Sequence, residues 1–68
     1  MNGALTTRQV ADACHCSINT IARLCDNGTL KSFRVPNSRH RRVVKLDLLA
    51  FMQNEGMPQS FIDEAAKL

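Results

Sequence analysis

The chain has 68 residues, 44% of them hydrophobic, with nine basic and six acidic side chains and a formal charge of +3. That length admits one domain with a small core and a binding face, because a chain of roughly 60 residues buries only about 60% of its unfolded surface. An enzyme cleft walled on all sides, a membrane span and a disulfide framework are disfavoured: the longest apolar run is Leu48-Leu49-Ala50-Phe51-Met52, and the cysteine count is three.

No charged-then-apolar leader is visible, so no secretory signal is expected, and the odd cysteine count suits a reducing cytoplasm. The chain has no Trp or Tyr, which argues against stacking single-stranded bases on aromatic side chains.

In chain order, residues 1–4 are expected to form a short lead. Thr6-Thr7-Arg8-Gln9 reads as a helix start, with Thr6 and Gln9 forming a capping box and Leu5 stapled onto Val10. Val10, Ala11 and Cys14 fall on one stripe of this short helix. Ser17 is placed to cap a second helix whose buried face is Ile18, Ile21, Leu24 and Cys25, leaving Asn19, Thr20, Arg23 and Asp26 outward. Asn27-Gly28 supplies the stop. About three residues join the two helices, as in a helix-turn-helix, and Ala11 is small enough for a close crossing. His15 stands where a turn glycine is common, and His tolerates positive φ better than most residues.

After Gly28 the period changes. Lys31 to Val35 alternates, Pro36-Asn37-Ser38 is turn chemistry, and Arg41 to Val44 returns as a strand. This hairpin needs the helices for support, and Leu30, Phe33 and Val43 are the expected anchors. A third helix runs from about Lys45 to Asn54 on Leu48, Leu49, Phe51 and Met52, and Gly56 and Pro58 end it. Ser60 to Asp63 is a capping pattern for a fourth helix, with a stripe of Phe61, Ile62, Ala65 and Leu68. The expected fold is mainly α with a small β-hairpin, in the order helix, helix, hairpin, helix, helix. It forms a single domain over residues 1–68, with a core at 5–56 and a C-terminal helix or linker at 57–68.

Charge is unevenly spread. Residues 29–45 carry +6, from Lys31, Arg34, Arg39, Arg41, Arg42 and Lys45 with no acid among them, and the remainder carries −3. So dense a run of like charge calls for an external anion.

The stretches LTTRQVADACHCSINTIARLCDNGTL, KSFRVPNSRHRRVV and KLDLLAFMQNEG together resemble a winged helix-turn-helix domain of the MerR/excisionase-like superfamily, over residues 5–54. The resemblance implies sequence-specific binding of double-stranded DNA, as a transcription regulator or an excisionase-like architectural factor, at the nucleoid. It places the second helix, about residues 18–27, in the major groove and the basic wing, about residues 31–44, on phosphate or the minor groove. The long coiled coil and effector domain of MerR regulators proper are not in this sequence, so a sensing role is not supported.

The residues themselves point the same way. Asn19, Thr20 and Arg23 offer the short polar and cationic groups that read base edges, Arg pairing with guanine and Asn with adenine. Arg39, His40, Arg41 and Arg42 cluster at the wing. Strand alternation sends Arg41 and Arg42 to opposite faces, and one of them is expected to turn inward onto Asp47 or another acid. Thr7, Arg8, Ser17, Lys31, Arg34 and Lys45 are candidate phosphate contacts.

Cys14-His15-Cys16 with Cys25 and His40 does not match paired zinc-ligand spacings, and the cysteines read as core residues. No nucleophile and base pair up, and no metal, cofactor or small-molecule ligand is expected. The C-terminal stripe serves either the domain's own core or association with a second copy or a fused domain. The alternative function is a protein-interaction module on the same scaffold without DNA binding.

Overall fold

The computed structural model describes residues 4–68. Strand β1 (Ala4–Thr6) leads into helix α1 (Thr7–Cys14) and helix α2 (Ile18–Asp26); strands β2 (Phe33–Arg34) and β3 (Arg41–Val44) follow, then helices α3 (Lys45–Asn54) and α4 (Gln59–Ala66). The expected helices and wing are present, and a third strand joins them. Ala4, expected in an irregular lead, opens that strand; residues 1–3 of the same lead lie outside the described residues.

Local chemistry accounts for the ends of α1 and α2. Thr6 Oγ1 accepts from the Gln9 N–H at 3.0 Å and Gln9 Oε1 accepts from the Thr6 N–H at 2.9 Å, which completes the capping box. His15 ends α1 in the left-handed region at φ 57°, and the Cys16 N–H donates to the Ala11 carbonyl at 3.0 Å. Ser17 Oγ then accepts from the Thr20 N–H at 3.1 Å to start α2. At the far end of α2, Gly28 takes φ 82°, and the Leu30 N–H returns to the Leu24 carbonyl at 3.1 Å, so Leu30 drops into the core.

The sheet is antiparallel in the order β1-β3-β2. Leu5 stands opposite Val43, and both are buried. The neighbouring register sets Arg42 between Thr6 and Phe33. Because side chains alternate across a strand, Thr6, Arg42 and Phe33 share the face turned away from the core. Phe33 is therefore not the anchor its alternation suggested; it is 46% exposed. Val35 continues the wing past β2, donating its N–H to the His40 carbonyl at 2.9 Å, and Asn37 turns the chain at φ 62°.

Val10, Ile21, Leu30, Val43, Leu48 and Met52 are the largest fully buried side chains, so α1, α2, β3 and α3 contribute to one core. No polar or charged residue is buried among the described residues. Ile18, expected on the buried face of α2, lies in its first turn at the rim of that face and is 41% exposed. The expected Ser60 cap is also absent. Pro58 precedes α4 in extended geometry, its carbonyl accepts from the Phe61 N–H at 3.0 Å, and Ser60 falls inside the first turn. In α4, Ile62 and Ala65 are buried and Phe61 stacks on the His15 ring with centroids 3.9 Å apart, so most of the C-terminal stripe packs on its own domain. Leu68 stays 43% exposed.

Candidate nucleic-acid interface

Helix α2 has two unlike sides. Ile21 is buried, while Asn19 and Arg23 are exposed and Ala22 is half-buried. Thr20 is half-buried, and its hydroxyl shares a 2.9 Å hydrogen bond with Ser17 Oγ. The Ser17–Thr20 pair thus builds the start of the helix, and its hydroxyls are partly committed to each other.

Beside α2 lies an open groove of about 460 Å³. Thr7 and Arg8 at the start of α1 form one wall, Ala22 forms another, and Arg39, His40, Arg41 and Arg42 close it from the wing. Tertiary structure therefore collects cations from two distant parts of the chain around one trough.

Arg41 alone among these wing cations is also tied to α2. Its side chain is only 16% exposed; it ion-pairs with Asp26 and donates from Nη1 to the Ala22 carbonyl at 3.3 Å. The hydrogen bond to Asp26 raises the guanidinium further above its ordinary value, against a smaller opposing effect of burial, so the charge is fixed. Arg41 is the inward member of the pair, and its acid is Asp26 at the end of α2, not Asp47. The link ties the central strand of the wing to the helix and neutralises a carboxylate that borders a second hollow on the wing. Arg42 sits on the outer face and donates to the Arg41 carbonyl at 3.1 Å.

Other candidates lie elsewhere. Arg34 lines a second, smaller hollow of about 250 Å³ with Phe33 and Ser32. Lys31 is exposed in the segment before β2. Lys45 reaches the chain end, donating from Nζ to the Leu68 carbonyl at 3.0 Å, so it is engaged away from the trough. Thr6 and Ala22, which line the trough, and Asp26, which lines the second hollow, were not singled out as site residues from the sequence; the signal for Asp26 was its place at the end of the helix facing a cationic strand.

The cysteines do not form a ligand set. Burial, aided by the neighbouring Cys16 thiolate, pushes the Cys14 thiol up to about 11, and burial also raises Cys16. Among the described residues no group of three or more His, Cys, Asp or Glu is placed to hold a metal ion.

Two helices crossing through a three-residue turn, a basic hairpin and a supporting helix define a winged helix-turn-helix. The chain belongs to the helix-turn-helix domain family of excisionase-like and MerR-like proteins, whose model it matches over residues 4–56. Membership implies binding to double-stranded DNA through the helix-turn-helix, and such domains are typically not enzymes. No curated protein matches the chain. No solved structure matches it either. Among the described residues no helix is long and apolar enough to cross a membrane.

Proposed function

We propose that this domain binds duplex DNA sequence-specifically, as a transcription regulator or an excisionase-like architectural factor. The observation that carries this reading is the cationic trough between α2 and the wing. In this reading α2 enters the major groove, where Asn19 and Arg23 meet base edges and Thr20 holds the helix start with Ser17. A phosphate run crosses the trough between Arg8 on one side and Arg39, His40 and Arg42 on the other. Arg41 acts as the strut beneath it. Lys31 and Arg34 extend the positive field along the wing.

Among the described residues, Arg8, Lys31, Arg34, Arg39 and Arg42 take part in no ion pair. If these five neutralise phosphates, log K falls with log salt at a slope of about −4.5 on B-form DNA. Selection from a random duplex library at fixed salt, followed by a salt titration on the recovered site, tests the proposal. Enrichment of a defined site with a slope of that size supports it. Failure to retain any duplex at moderate salt would favour a protein-interaction module on the same scaffold.

A further inference from the structure

The first turn of α2 presents an apolar side chain that the core does not use. Ile18 is 41% exposed, although Ile21 one turn later is fully buried. It precedes Ala22 by four residues, and residues so spaced lie on one ridge of a helix. Ala22 itself lines the cationic trough. The other exposed large hydrophobic residues, Phe33, Val44, Leu46 and Leu68, lie outside α2. A single exposed aliphatic residue is ordinary on a protein surface. This one is set apart by its place: the N-terminal turn of the helix that would enter the groove, adjoining Asn19 and in line with Ala22.

We propose that Ile18, supported by Ala22, is a specificity-determining residue that packs against the 5-methyl groups of thymine in the major groove. The inference rests on the DNA-binding reading above and adds a base preference to it. The thymine methyl is the one apolar group that the four natural bases display on the major-groove edge. A β-branched side chain in a helix is held in one dominant χ1 rotamer, so its methyl surface is presented with little entropy left to lose. Asn19 and Arg23 supply hydrogen bonds to neighbouring bases, and the Ile18–Ala22 ridge supplies the apolar contact they lack.

The test uses the intact protein and the duplex recovered by selection. Each thymine in the footprint of α2 is replaced in turn by deoxyuridine, which removes the methyl and leaves the hydrogen-bonding edge intact. Loss of one buried methyl-sized contact predicts about fourfold weaker binding at the contacted thymine, equivalent to ~0.8 kcal/mol. The Ile18→Ala variant is expected to bind thymine and deoxyuridine sites equally, with a thermal midpoint close to that of the unaltered protein. Equal affinity of the unaltered protein for both sites overturns the proposal while leaving DNA binding intact. So does a thymine preference that survives Ile18→Ala. A protein that selects no duplex overturns both readings.

Discussion

Arg41 and Arg42 are adjacent in sequence and both border the trough, but they differ in the strand face they occupy and in having an acid partner. Alternation along β3 sends Arg41 onto Asp26 and the Ala22 carbonyl and leaves Arg42 on the outer face. Their substitutions are therefore expected to separate. Arg42→Ala should reduce the magnitude of the salt slope by about 1, the signature of one lost phosphate contact. Arg41→Ala should weaken binding without that change in slope, because it frees the Asp26 carboxylate and loosens the wing; Asp26→Asn in the same chain should restore part of the loss. An Arg41→Ala slope matching that of Arg42→Ala would remove the strut assignment. Cys14 gives a second prediction at this scale. Its folded pKa, about 11, lies above the ordinary 9.0, so the unfolded chain ionises first and stability falls as pH rises from 9 towards 11. A thermal melt across that range should show a steeper loss for the unaltered protein than for Cys14→Ala.

At the scale of elements, each helix end has its own chemistry, and most of it is local. The Thr6–Gln9 box, the Ser17 cap and the Gly28 turn all involve residues within a few positions of each other, which is why the sequence pattern finds them. Helices α3 and α4 start without a side-chain cap, and α4, at the end of the described residues, shows the consequence. With no side-chain cap, it depends on what it packs against. Ile62 and Ala65 are buried where α4 meets α1 and α3, and Phe61 lies on the His15 ring at the helix-turn-helix turn. Ile62→Ala should accordingly cost roughly 2–4 kcal/mol in denaturant unfolding, as expected for truncating a core aliphatic residue. A cost near zero would mean that α4 is peripheral. The same packing draws the apolar stripe into the domain and leaves Leu68 as its exposed end.

For the whole molecule, the formal +3 is a poor guide to the surface. The +6 of residues 29–45 is divided by the fold: Arg41 is cancelled by Asp26, Lys45 is drawn to the Leu68 carbonyl, and Arg39 and Arg42 join Arg8 of α1 around one trough. One module of this size covers only a short duplex, burying roughly 600–1,000 Å² of protein surface. Useful specificity then needs repeated sites, a fused partner or a second copy. The spacing between half-sites recovered by the duplex selection reports which arrangement operates.

The sequence by itself determined the helices, the caps of α1 and α2, the wing and the family, because these depend on short-range hydrogen bonding and on the periods of 3.6 and 2. It also located the cationic segment and the polar face of α2. Only the tertiary structure decided the third strand, since Ala4 to Thr6 become a strand through pairing with residues nearly forty positions away. Register, also non-local, turned Phe33 outward beside Arg42. Packing decided that Ile18 stays exposed while Ile21 does not, and that Asp26 holds Arg41. Composition supplied the charges; chain folding decided which of them are paired and which gather around the trough.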